Sequence, residues 1–288
     1  MILDIFLVTV ALIILLLSSI TDLKKREIPD FLSYSLLSIA IFTKILQSSI
    51  EKSLSPVIYA VIGFIIFYII ALLMYYTKQW GGGDSKLLIP LGIIFSQYPK
   101  TLLNYFSPDL KVPILITLFI NILLIGAIYG IFYSIVLAIK NKERFLKEIK
   151  KINTKNIKYY IILSVFILLV SIFINVLSIK LLLLIFSLFI ILIPYLLIFI
   201  KAIEKSCMIK RISIEKLTEG DWITENIYNE DNKIIYSSKS PGVTLKQINE
   251  IKRLNKKDVT IKEGIPFIPS FLIAAIITLI YGNIIFFI

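Results

Sequence analysis

The chain has 288 residues, 58% of them hydrophobic and only 17% charged, whereas a soluble domain carries about 25% charged residues. Its 31 Lys and Arg against 19 Asp and Glu give a net charge of +12, and the charges cluster so as to leave long uncharged stretches, which excludes a soluble enzyme. The absence of histidine and the single cysteine, Cys207, exclude Ser-His-Asp and Cys-His catalysis, histidine metal sites, a Cys-x-x-Cys zinc site and an internal disulfide, so any chemistry rests on carboxylates, hydroxyls or lysines.

In chain order, eight candidate membrane spans are expected at 3–21, 31–48, 56–77, 86–105, 112–139, 159–177, 181–200 and 266–288. The first lacks the basic n-region of a signal peptide, has Asp4 in its place and is followed by no small-residue cleavage site, so it reads as a retained helix. The second carries Lys44 late in the span. The fourth has an uncharged core only at 87–99, about 20 Å at 1.5 Å per residue, short of a bilayer core of about 30 Å, so it reads as a half-span or as a span whose Lys100 snorkels. The stretches 112–139, 159–177, 181–200 and 265–288 contain no charge at all, unlike a soluble core helix with a wet side.

Placing the N-terminus outside puts 21–30, 78–86, 140–158 and 201–265 on the cytosolic side, with 26 of the 31 basic residues. That asymmetry sets the orientation and leaves both termini outside. It also accounts for the net positive charge without a nucleic-acid partner, and none is expected.

The segment 140–158 places Phe145, Leu146, Ile149 and Ile152 at helical spacing among eight basic residues, the pattern of an amphipathic helix on anionic lipid headgroups. The segment 201–264 is mixed in charge and reads as a small α+β cytosolic domain. Thr244 and Gln247 form a capping box for a short helix to about Leu254, and residues 258–262 read as a strand. No catalytic constellation stands out there, so a structural or docking role is expected. The whole reads as an all-α polytopic membrane protein with a core at 1–139, a basic interfacial loop at 140–158, an additional helix pair at 159–200, the cytosolic domain at 201–264 and a final membrane helix at 265–288.

Two places break the apolar pattern. One is Asp22-Leu23-Lys24-Lys25-Arg26-Glu27-Ile28-Pro29-Asp30, after the first span; the other is Gly81-Gly82-Gly83-Asp84-Ser85-Lys86, between the third and fourth. The orientation puts Asp22 and Asp84 on the same side at similar depth, so their helices can pack and bring the carboxylates together. Taken singly, Asp22 also reads as a loop charge and Asp84 as the N-cap of the fourth helix. The glycines serve where backbone must bend or be closely approached, for instance by an extended peptide. Two close carboxylates share one proton, and such a pair hydrolyses peptides without metal or histidine: the ionised member takes a proton from water, and the protonated member donates to the carbonyl oxygen. The positions of Asp84 near a helix N-terminus and of Asp22 near a helix C-terminus predict Asp84 ionised and Asp22 protonated.

The first motif resembles the first aspartate motif of type IV prepilin peptidases, and the second resembles their Gly-x-Gly-Asp motif, with Lys86 at the family's spacing. The pair stands in the family's order, about sixty residues apart, within a matched core of roughly 1–139. The cytosolic domain and the lead-in Ile265-Pro266-Phe267-Ile268-Pro269 look like the archaeal branch, which includes preflagellin (archaellin) peptidases. The resemblance implies a membrane aspartyl endopeptidase with Asp22 and Asp84 as the catalytic pair, cleaving the short basic leader of pilin-like or archaellin precursors at the cytosolic face of the cell membrane. It implies no cofactor and no metal. Gly81, Gly82 and Gly83 would shape the substrate loop, and Lys86 would lower the pKa of Asp84 or orient a carboxylate. Glu27 and Asp30 read as solvated loop charges or as attractors of a basic leader. Many bacterial relatives also N-methylate the new terminus and carry a four-cysteine zinc region; this chain has one cysteine, so peptidase activity alone is expected.

Three other readings remain beside this one. Presenilin and signal-peptide-peptidase-like proteases also use Gly-x-Gly-Asp, but their first aspartate follows a tyrosine, whereas Thr21 precedes Asp22 here. Ion-coupled transporters place carboxylates near the bilayer midplane, not near one surface. The third reading is a non-catalytic scaffold for pilus or archaellum assembly.

Overall fold

A computed structural model describes residues 2–229, 233–254 and 257–287. Ten α-helices and five short strands are found among these residues. Helices α1 (Ile2–Lys25), α2 (Asp30–Glu51) and α3 (Ser55–Tyr76) follow one another through tight turns, and each is long and apolar enough to cross a membrane. Arg26 closes α1 in the left-handed conformation (φ 60°), and Pro29, fixed in an extended conformation, stands at the N-cap of α2.

Helix α4 (Gly82–Ile94) has 13 residues, and the chain then passes through a 3₁₀ turn at Lys100–Asn104. A helix of that length reaches only about 20 Å, short of a bilayer core, in line with its short apolar core. It is the most enclosed helix of the bundle, with Leu87, Leu88 and Leu91 fully buried. It lies against α3 so closely that a Cβ on Gly63 would stand 2.0 Å from the carbonyl oxygen of Gly92. Small residues at a crossing allow this backbone contact, the usual way for membrane helices to gain packing.

Helix α5 (Ile114–Lys140) is the fourth long apolar helix and α8 (Leu177–Ile203) lies within the fifth, which runs to Met208. The multi-pass character expected from composition is borne out. Five of the expected spans meet the length for crossing; α4, α7 (Ile157–Ile172) and α10 (Ile268–Ile280) are shorter. The last expected span ends early because Gly282 turns the chain with φ 79°, its backbone against that of Asp109; residue 288 of that span lies outside the described residues. Lys44, the charge within the second span, is buried and answered by Asp4 of α1 at 3.8 Å and by Gln47.

Two compact units divide the chain. One consists of Met1–Phe132 with Ile212–Ile288, the other of Tyr133–Arg211. The second holds the end of α5, then α6 (Lys142–Lys151), α7 and α8, with the Ser164 and Ser187 hydroxyls 2.8 Å apart between α7 and α8. The amphipathic helix expected at 140–158 is α6; its Phe145 ring packs edge-on against Phe199 of α8.

Within the first unit the small α+β region follows β1 (Ile209–Ser213). Strand β2 (Trp222–Ile223) pairs antiparallel with β5 (Asp258–Lys262), and β3 (Ile227–Tyr228) pairs with β4 (Ile234–Tyr236). Helix α9 (Leu245–Lys252) starts at the expected capping box: Thr244 Oγ1 accepts from the Gln247 N–H, and Gln247 Oε1 accepts from the Thr244 N–H. Ile223, Ile227, Tyr236, Ile251 and Val259 form a core of their own. Residues 230–232 and 255–256 of the expected domain lie outside the described residues.

Candidate active site

Asp22 occupies the last turn of α1 and is 6% exposed. Its backbone carbonyl accepts from the Arg26 N–H, so the carboxylate sits where the helix closes. Oδ2 of Asp22 accepts a hydrogen bond from the backbone N–H of Ile268, at 3.1 Å. Ile268 is the first residue of α10, and its N–H is one of those that a helix start leaves without an intrahelical partner.

Asp84 lies in the first turn of α4. Its Oδ2 accepts from the N–H of the N-cap residue Gly81 at 3.0 Å, the half of a capping box that needs no side chain at the N-cap. Burial above all, and then the carboxylate of Asp22, push the Asp84 carboxyl above the usual range, while the Gly81 N–H opposes them. Loss of water and a like charge thus act against the helix dipole and the capping donor, which favour the ionised form.

The other motif residues join the same constellation. Lys86 does not pair with Asp84; its Nζ lies 2.7 Å from Oδ1 of Asp30, so the carboxylate it orients belongs to the first motif. Gly83 packs on Ile28 of that motif, where an added Cβ would come within 2.9 Å of the Ile28 Cδ1. An added Cβ at Gly81 would stand 3.3 Å from Asp84 Oδ2, and one at Gly82 would meet Tyr75 at an ordinary 3.6 Å. Gly81 and Gly83 therefore face close approaches, and Gly82 does not. Glu27 and Asp30 line the same loop, Asp30 in the Lys86 pair.

Sequence reasoning missed two contributors. Trp80, immediately before Gly81, is 5% exposed and packs against Phe267, Phe271 and Phe119, with ring centroids 5.6, 5.2 and 6.4 Å away. Ile268 acts through its backbone, and a backbone donor leaves no mark in residue type. The Ile265-Pro266-Phe267-Ile268-Pro269 run was the one available signal, since a proline-flanked lead-in fixes a helix start.

Comparison with known proteins agrees with the motifs. Residues 9–131 match the type IV leader peptidase family. A preflagellin peptidase of Methanococcus voltae is 27% identical over 156 residues, 54% of this chain and 64% of that protein. A preflagellin peptidase of Methanocaldococcus jannaschii is 34% identical over 84 residues, 29% of this chain and 36% of that protein. One from Methanococcus maripaludis is 26% identical over 127 residues, 44% of this chain and 55% of that protein. The matches thus span less than two thirds of each relative. No solved structure matches.

Proposed function

We propose that this chain, whose residues 9–131 carry the type IV leader peptidase match, is a membrane aspartyl endopeptidase that removes the basic leader from archaellin or pilin-like precursors. The observation that carries the reading is the convergence of the two aspartate motifs, with Asp22 in the last turn of α1, Asp84 in the first turn of α4, Gly83 packed on Ile28 and Lys86 paired with Asp30. The preflagellin peptidase relatives favour archaellin-like precursors and lend no support to the presenilin-like, transporter or scaffold readings.

In this reading the dyad holds one shared proton. Asp84, pushed up by burial and by its neighbour, holds it and donates it to the carbonyl oxygen of the scissile bond. Asp22 takes a proton from the attacking water while its Oδ2 is steadied by the Ile268 N–H. Collapse of the tetrahedral intermediate passes a proton to the leaving nitrogen and restores the dyad. The excess of basic residues in the loops on the motif side supports a reaction at the cytosolic face of the cell membrane.

Cleavage of tagged archaellin and pilin precursors in membranes tests the proposal, with Asp22→Ala and Asp84→Ala in parallel. Loss of leader removal in both variants, with protein levels and melting retained, supports it. Cleavage that survives either substitution removes that aspartate from the mechanism.

A further inference from the structure

Residues 212–264 lie outside the segment matched to the family, yet they share one compact unit with both motifs. Three described non-glycine residues have left-handed backbone, and two of them border the motifs. Arg26 (φ 60°) ends α1 just after Asp22, and Lys78 (φ 58°) follows α3 just before the glycine loop. That conformation is unfavourable for a residue with a side chain and persists where surroundings impose it.

Both side chains reach the same domain. The Arg26 guanidinium donates to the carbonyl oxygen of Gly264, and Lys78 Nζ donates to that of Ser238 at 2.7 Å. The acceptors follow β5 and β4, and the Ser238 N–H is itself fixed on Asn226 Oδ1 at 2.8 Å. Just beyond Gly264, Phe267 packs on Trp80 and Ile268 donates to Asp22. A domain that served only to dock a partner would have no need to hold both motif loops.

We propose that the described residues between 212 and 268 form a clasp that holds the two aspartate loops together before substrate arrives, with Arg26, Lys78 and the Ile268 N–H as its positioning contacts. Because the clasp grips through backbone carbonyls and one backbone N–H, its action depends on the fold of the domain. The inference rests on Asp22 and Asp84 being the reacting pair.

The test replaces Asp22 and Asp84 with Cys in a Cys207→Ser background and measures crosslinking by a short bis-methanethiosulfonate reagent in membranes, without substrate. Adding Arg26→Met and Lys78→Met, which keep the side-chain stems and lose the donors, is expected to cut the crosslinking yield several-fold. In the enzyme with both aspartates, the same pair is expected to lower kcat by about tenfold or more, as misplaced reacting groups do, with KM changed by less than about twofold. Arg26→Lys with Lys78→Arg, which keep the donors, should recover most of both. Unchanged crosslinking overturns the clasp, and so does a raised KM at constant kcat, which would make the domain a docking surface. Equal loss in the donor-keeping pair also overturns it, since the contacts would then serve folding alone. If the wild type cuts no precursor, the peptidase reading fails while crosslinking still decides the clasp.

Discussion

Nζ of Lys86 lies 2.7 Å from Oδ1 of Asp30, an ion pair that ties the second aspartate motif to the first across 56 positions. Both side chains are about half exposed, so the pair contributes no more than about 1 kcal/mol to stability. Lys86→Met is therefore expected to leave thermal unfolding in detergent nearly unchanged, yet to lower turnover several-fold as the loops lose register. The charge-swapped pair Lys86→Asp with Asp30→Lys should recover part of the turnover. A large fall in melting temperature would show that the pair acts on folding instead.

The carboxyl of Asp84 is raised by burial first and by Asp22 second. Removing the charge of its neighbour in Asp22→Asn takes away the second cause and leaves the first. Carboxyl-resolved infrared titration should then find Asp84 ionising at lower pH than in the wild type, still above an ordinary carboxylate, with the band absent in Asp84→Asn. An unmoved titration would mean that the two groups do not sense one another.

At the crossing of α3 and α4, a Cβ on Gly92 would lie 2.3 Å from the carbonyl oxygen of Gly63. Backbone cannot yield as a side-chain end can, so Gly92→Ala and Gly63→Ala should each cost about 1–3 kcal/mol or more. Gly130→Ala is the control, with nothing within 4 Å of the added carbon, and should leave stability unchanged or slightly raised. Thermal unfolding of the three variants in one detergent checks the order.

Gly126 of α5 leaves room for the Phe267 ring, whose Cζ would stand 2.2 Å from an added Cβ. Gly126→Ala should push the ring, and with it the Ile268 N–H, away from Asp22, lowering kcat more than it raises KM. Phe267→Leu, added to Gly126→Ala, shortens the side chain and should restore part of the loss. Steady-state cleavage by the single and double variants is the measurement.

Long apolar runs, the two aspartate motifs, the Thr244 capping box and strand β5 were all legible, because each rests on residue types at a fixed local spacing. The partner of Lys86 was not: helical proximity pointed to Asp84, while the fold offered Asp30 from a distant turn. Nor was the burial of Asp84, since helix position is a local cue whereas burial is tertiary. The Ile268 N–H was invisible for a simpler reason: every residue but proline has one. The number of crossing helices stayed open at α4, α7 and α10, where composition is apolar but length falls short.

Trp80 is one of two tryptophans, the other being Trp222 in β2. Its indole is wedged between the glycine loop that carries Asp84 and the phenylalanines that lead into α10. With Trp222 replaced by Phe, the protein would have a single tryptophan, placed at that joint and excited apart from the tyrosines at about 295 nm. Its emission, expected to be blue-shifted in the buried aromatic cluster, becomes an unlabelled optical gauge. A red shift or quenching on addition of precursor would time the loosening of that joint against bond cleavage in the same cuvette.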